Sequence, residues 1–216
     1  MTLKYLTESA FVGSEKDFSR EIAVIDRLLT KGSEILDYGC SWGYGAWQFK
    51  NCGFESKGLE ISIPRANYAT NFLEIDVVSE NELVKDSLDC VWSSHVIEHL
   101  PKPSGLITLA YQVLKPGGIL FLKCPNGSSE SRALNNKWSQ IWGNVHPQVI
   151  DELFLRKSLK GKFSGLITSY IGELDHFVQS YSNSKEKLNM IFESIPSFSL
   201  DSSEIYFLGH KLPDIN

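Results

Sequence analysis

Apolar positions recur along this chain with two periods. Phe18, Ile22, Ile25 and Leu29 fall at helical spacing, which predicts an amphipathic helix over 15–30. Ser14 and Asp17 stand near its start at capping-box spacing, and Gly32 closes it. Short apolar runs bounded by turn residues then appear at 34–38, 54–60, 72–75, 88–92 and 119–123, and each predicts a buried strand. Helical stretches separate them. One follows the turn 39–45, with Ala46 to Lys50 inside it, and runs to about residue 52. A second is capped by Ser62, with Pro64 in its first turn. Shorter ones fall within 79–85 and 96–100, and another runs from about 105 to 114. Beyond Pro125, residues 126–136 are polar and loop-like. A helix over 149–160, a strand over 163–171, a helix over 184–194 bounded by Pro196 and a last strand over 204–212 complete the pattern. Residues 172–184 carry no clear signal, and 1–13 read as a loosely packed lead-in or lid. Strands alternating with helices predict an α/β, doubly wound, mostly parallel sheet with helices on both faces.

The stretch Asp37-Tyr38-Gly39-Cys40-Ser41-Trp42-Gly43 is where this pattern offers chemistry. A strand feeding a helix through a glycine turn brings backbone N–H groups and a helix N-terminus to one sheet edge, a place to hold a ligand. Gly39 and Gly43 permit positive φ and close backbone approach. Asp37 ends the first strand with a carboxylate. Glu60 ends the second about 20 residues later, where an acidic side chain typically grips a ribose diol.

Composition narrows the partners. Of the 216 residues, 42% are hydrophobic and 22% charged, ordinary for one soluble domain with a sizeable core. The net charge of −5 leaves no basic footprint, so no nucleic-acid partner is expected. No stretch reaches the length of a membrane span, and the N-terminus lacks a signal-peptide run. Cys40, Cys52, Cys90 and Cys124 show no C-x-x-C spacing and read as free thiols, hence a cytoplasmic location is expected. The sequence sets no oligomeric state.

Four motifs occur in order: Glu34-Ile-Leu-Asp-Tyr-Gly-Cys-Ser-Trp-Gly, Gly58-Leu-Glu60-Ile, Leu88-Asp-Cys-Val-Trp-Ser-Ser-His-Val-Ile-Glu98-His-Leu, and Val113-Leu-Lys-Pro-Gly-Gly-Ile-Leu. Together they resemble the class I S-adenosylmethionine-dependent methyltransferases, in the branch that includes ubiquinone-biosynthesis O-methyltransferases and bacterial small-molecule and glycan methyltransferases. The resemblance covers roughly 30–125. It implies a seven-stranded sheet with an antiparallel last strand, and S-adenosylmethionine as cofactor. It divides a single domain into a lead-in and helix (1–31), a cofactor-binding core (32–125), an acceptor-side insertion (126–150) and the remaining sheet (151–216). By position, it implies that Asp37 faces the methionyl end and that Gly39, Cys40, Ser41, Trp42 and Gly43 pass beneath the cofactor. It likewise implies Glu60 on the ribose, with Ile61, Asp76 and Val77 at the adenine and Ser93 and Ser94 along the methionine side. Ser41 departs from the family's usual glycine.

The acceptor implied is the hydroxyl or amine of a small molecule, sugars and glycan precursors included. Such an acceptor gives up a proton, and His95, His99 and His146 are the candidate catalytic bases. The aromatic-rich stretch from Trp138 to His146 is the expected acceptor wall. Some relatives carry Glu-x-x-Glu-His plus a later histidine and bind a divalent metal. Here His95 stands in place of the first glutamate, which weakens affinity for a hard ion. Glu98 and His99 are therefore read as capping the helix after the fourth strand, and no metal is assigned. Two alternatives remain at this point: a nicotinamide-dependent oxidoreductase, against which the incomplete G-x-G-x-x-G counts, and a non-catalytic cofactor-binding scaffold.

Overall fold

The computed structural model describes residues 3–136, 140, 142–143, 146–181 and 202–213. The chain divides into two compact units, Met1–Leu83 and Val84–Asn216. In the first, α1 (Leu3–Glu8) and α2 (Ser19–Asp26) precede β1 (Glu34–Tyr38), α3 (Tyr44–Asn51), β2 (Glu55–Leu59), α4 (Ile63–Leu73) and β3 (Asp76–Val78). In the second, β4 (Leu88–Ser94) leads through a 3-10 turn at Ile97–His99 into α5 (Ser104–Val113) and β5 (Leu114–Pro125). Then come α6 (Ser129–Leu134), α7 (Glu152–Leu159), β6 (Phe163–Thr168), α8 (Ile171–Tyr181) and β7 (Glu204–Lys211). The strand order is β3-β2-β1-β4-β5-β7-β6, a seven-stranded sheet in which β7 runs antiparallel to both β5 and β6. The doubly wound, mostly parallel architecture is therefore as expected. Among the described residues no helix is long and apolar enough to cross a membrane. Cys40, Cys90 and Cys124 are buried free thiols, and Cys52 is an exposed one.

Strands covered on both faces become continuous apolar runs. Every residue of β6 is buried, as is nearly all of β4. The Lys115–Gly118 turn lies within β5 as a bulge. Leu88 pairs with Leu114 and Cys90 with Ile119, and Lys115 reaches across the irregularity to Asp89 at 2.7 Å.

Several boundaries differ from expectation for physical reasons. α2 begins at Ser19, because Asp17 accepts the N–H groups of Gly13 and Ser19, and Ser14 accepts that of Lys16. Short polar side chains here stabilise a turn that competes with the helix. The lead-in is not loose throughout. Phe11 is fully buried, with ring centroids 5.0 Å from Tyr44 and 5.3 Å from Trp47. The run at 72–75 is not a strand. α4 continues through Leu73, Glu74 ends it in a left-handed conformation (φ 55°), and β3 opens at Asp76. Ser93 and Ser94 close β4 rather than follow it, and 171–181 form α8. The helix expected over 184–194 lies outside the described residues.

Gly165 and Gly209 face each other across β6 and β7. A Cβ on Gly165 would stand 2.2 Å from the Leu208 carbonyl oxygen, a backbone atom that cannot swing aside. Gly165→Ala is therefore expected to destabilise the fold by about 1–3 kcal/mol, read as a lower urea midpoint. An unchanged midpoint would contradict this close packing.

Candidate functional site

In the first unit the turn after β1 is fixed from its ends inward. The N–H groups of Gly39 and Cys40 both donate to the carbonyl of Leu59 (2.8 and 3.0 Å), which ties the turn to the end of β2. Gly43 donates to the Cys40 carbonyl at 2.8 Å. Gly39, Ser41 and Gly43 all have positive φ (79°, 52° and 82°). At Gly43 a Cβ would stand 2.7 Å from the Cβ of Ala69 in α4, so glycine is required there twice over. Ser41 takes the left-handed conformation that a glycine would adopt without cost. Its N–H donates to Glu60 Oε2 at 2.9 Å, and that bond helps hold the geometry. Glu60 Oε1 accepts from the Ser62 N–H at 2.7 Å. The carboxylate expected to bind ribose is thus already oriented by two backbone donors, and its remaining lone pairs are left for a ligand.

Asp37 lies beneath this turn, 2% exposed, and Oδ2 accepts the N–H of Ala46 in the first turn of α3 at 2.9 Å. Burial pushes its pKa from 3.8 up to about 7. The Ala46 bond works against this rise, and the Glu60 charge adds to it. A positively charged ligand group would restore the ionised form.

The other expected contacts are placed less uniformly. Ile61 is 93% exposed next to Glu60, an apolar side chain with no protein cover, as a residue packing on a planar ligand would be. Trp42 packs edge-on to Tyr68 (5.1 Å) beneath the Arg65 guanidinium (5.8 Å), so its ring is engaged by α4. Asp76 and Val77 do not follow β3 but open it. Asp76 pairs with Lys57 and Val77 with Gly58. The residue level with Leu59 is Val78, so Ser79 and Glu80 occupy the sheet edge where Asp76 and Val77 were expected. Glu80 accepts the Tyr38 hydroxyl at 3.2 Å.

In the second unit the three histidines converge on one carboxylate. Glu98 is fully buried, and neither of its oxygens has a hydrogen-bond partner. Around Oε1 stand His95 Nδ1 at 3.5 Å, His99 Nε2 at 3.9 Å and His146 Nε2 at 3.9 Å. The rings of His99 and His146 are 4.8 Å apart, and Trp142 packs edge-on to His146. The expected capping role of Glu98 is not what its side chain does, since it accepts no backbone N–H. Trp138 and Ile141, expected in the acceptor wall, lie outside the described residues.

His95 differs from its neighbours. It sits just past β4 at φ 56°, and its Nε2 is 3.1 Å from Glu204 Oε1. Burial opposes a charge on this ring, but hydrogen bonding to Glu204 and the proximity of Glu98 outweigh it and raise the pKa to about 9. These partners favour the protonated ring at neutral pH, which weighs against a base role for His95. Glu204 also accepts the Tyr206 hydroxyl at 2.6 Å and stands 3.4 Å from Lys123 Nζ. Burial opposes the ionisation of Glu204, yet these partners hold its pKa down at about 2. Sequence reasoning missed Glu204, because it opens a strand 109 residues from His95 and no local motif marks it.

A family profile described as a methyltransferase domain matches residues 15–162. A protein named a probable S-adenosylmethionine-dependent methyltransferase, from Mycolicibacterium smegmatis, is 30% identical over 116 residues, covering 50% of this chain and 45% of that protein. The ubiquinone biosynthesis O-methyltransferase of Xanthomonas oryzae pv. oryzae is 28% identical over 118 residues, covering 50% and 49%. The chain thus spans about half the length of the curated relatives it matches. Among solved structures, a SAM-dependent methyltransferase from Archaeoglobus fulgidus superposes with a TM-score of 0.63 at 20% identity, covering 97% of this chain and 100% of that one. At that identity the likeness carries the fold.

The raised pKa of Asp37 has a measurable sign. Between 3.8 and about 7 the folded state keeps a proton that the unfolded chain releases. This contribution to stability is therefore full at low pH and is lost as pH rises through about 7. Without ligand, Asp37→Asn is expected to lose less stability than the wild type between about pH 5 and about pH 8, by chemical denaturation. Parallel pH profiles for the two proteins would contradict it.

Proposed function

Because the chain belongs to the S-adenosylmethionine-dependent methyltransferases, through a family match over residues 15–162, we propose that it moves a methyl group from S-adenosylmethionine to a hydroxyl of a small molecule. The observation that carries the cofactor half is the Glu60 carboxylate, oriented by the Ser41 and Ser62 N–H groups at the end of β2. A ribose diol donates to such a carboxylate. The buried Asp37 complements the methionyl ammonium. The family match favours S-adenosylmethionine over a nicotinamide as the ligand.

The cluster of the second unit favours a hydroxyl acceptor over an amine. A neutral amine attacks with its own lone pair and sheds its proton afterwards. A hydroxyl is a poor nucleophile until its proton is removed or its pKa is lowered. Glu98 with His99 and His146 supplies the chemistry for that step. The leaving thioether is neutral, so the rest of the work is alignment of the acceptor oxygen with the methyl carbon. The named relative acting in ubiquinone biosynthesis is also an O-methyltransferase, which supports phenols and catechols as the first acceptors to try, with sugars next.

The test is methyl transfer from labelled S-adenosylmethionine to panels of phenols, sugars and amines. Products methylated on oxygen are expected. His146→Ala is expected to lower kcat by roughly 100- to 10,000-fold with the circular dichroism spectrum unchanged. Methylation confined to amines, or full activity in His146→Ala, would overturn the acceptor assignment.

A further inference from the structure

The imidazole of His95 stands between two carboxylates. Its Nδ1 is 3.5 Å from Glu98 Oε1, and its Nε2 is 3.1 Å from Glu204 Oε1. A neutral imidazole carries one N–H and can donate to one acid only, whereas the imidazolium presents an N–H to each. The backbone imposes this placement. His95 takes φ 56°, uncommon for a residue with a Cβ, and its N–H donates to the Lys123 carbonyl at 2.8 Å. Strain of this kind persists where the surroundings enforce it, and it collects at functional sites. Glu204 is held in turn by the Tyr206 hydroxyl at 2.6 Å and by Lys123 Nζ at 3.4 Å.

The need for a fixed cation lies at Glu98. Its carboxylate is fully buried and makes no hydrogen bond, a costly state for an acid without a counter-charge. His99 Nε2 and His146 Nε2 each stand 3.9 Å from the same oxygen that His95 faces. We propose that Glu204 is a positioning residue for methyl transfer: it holds His95 as a fixed cation, and His95 is the counter-charge that lets Glu98 act as a carboxylate on His99 and His146. This rests on the acceptor reading above, in which that cluster takes the proton of a hydroxyl. The acceptor proton passes to an imidazole nitrogen, the oxygen's electron pair forms the bond to the methyl carbon, and the carbon–sulfur pair leaves on the neutral thioether. A carboxylate beside the imidazole stabilises the imidazolium that forms. Signs then alternate from β7 inward: Glu204 negative, His95 positive, Glu98 negative, and the proton-bearing imidazole positive. The other groups packed around the two acids fit this order. Lys123 and Tyr206 engage Glu204, and burial together with both acids pushes the Cys124 thiol up, so it stays neutral. Burial alone would lower the pKa of His95, but Glu204 and Glu98 raise it to about 9.

The test compares the wild type with Glu204→Gln and His95→Gln. In NMR of histidine-labelled protein, the His95 signal is identified by its loss in His95→Gln. It is expected to titrate near 9 in the wild type and at least about one pH unit lower in Glu204→Gln. His95 is protonated below its pKa, so kcat is expected to fall as pH rises through about 9, and this alkaline limb is expected to move down with the His95 titration in Glu204→Gln. In His95→Gln kcat is expected to be at least ~10-fold lower at every pH, with no such limb. KM for S-adenosylmethionine and the circular dichroism spectrum are expected to stay unchanged in both variants. A wild-type His95 that titrates near 6.5, an alkaline limb unmoved in Glu204→Gln, or full kcat in His95→Gln would overturn the proposal. So would activity abolished by a chelator and restored by a divalent ion, because a metal would then be the counter-charge of Glu98. The spectra need no acceptor. Methylation confined to amines would therefore strike the acceptor reading, while the pairing of Glu204 with His95 stands or falls on the titration.

Discussion

The carboxylate of Glu60 ties the turn after β1 to the start of α4. One oxygen accepts the N–H of Ser41 in the turn after β1, and the other accepts that of Ser62 at the start of α4. A single side chain thereby joins the ends of two strands and the entry to a helix. Ser41 depends on it most, since a residue with a Cβ held at φ 52° is uncommon and needs local support. The Leu59 carbonyl, shared by the Gly39 and Cys40 N–H groups, braces the same turn from below. Charge-assisted bonds of the Glu60 kind contribute about 1.5–3 kcal/mol each. That is enough to hold the turn in the conformation a ligand needs before the ligand arrives, which lowers the ordering cost of binding.

The second unit presents a different situation, a fully buried carboxylate with no hydrogen bond, faced by His95, His99 and His146. Glu60 is oriented by backbone donors and half-open to a ligand, while Glu98 is buried among imidazoles that stop short of it. Asp37 lies between these extremes. It is buried with one hydrogen bond and titrates near neutrality. Under the proposed function the three acids would divide the work: Glu60 would accept from a ribose diol, Asp37 would face a cationic group, and Glu98 would serve the acceptor side. Proteins concentrate perturbed or unsatisfied groups where chemistry is done.

What could be read from the sequence was what depends on neighbours along the chain. The β1 turn was visible because an apolar run, a carboxylate and two glycines sit within ten residues and define one local geometry. The antiparallel last strand was visible as an apolar run, and its direction came from family resemblance. The third strand was misplaced because Phe72, Leu73 and Ile75 look like one apolar run. In fact Leu73 and Ile75 are buried and Phe72 is 64% exposed on the helix surface. Its end is set by Glu74 in a left-handed conformation, which no glycine announces. The adenine-side expectation moves with it, since Asp76 and Val77 open the third strand and Ser79 and Glu80 stand past its end. The grouping of His95, His99 and Glu98 could be suspected from their spacing. Their relation to His146 and Glu204 could not, because only the tertiary fold brings such distant residues together.

The most direct measurement is calorimetric titration of the chain with S-adenosylmethionine, wild type against Glu60→Gln. The account predicts saturable binding, weakened roughly 10- to 100-fold in the variant, as expected when a charged hydrogen-bond acceptor is replaced by a neutral one. Absence of binding at millimolar concentration, or equal affinity in the two proteins, would contradict it.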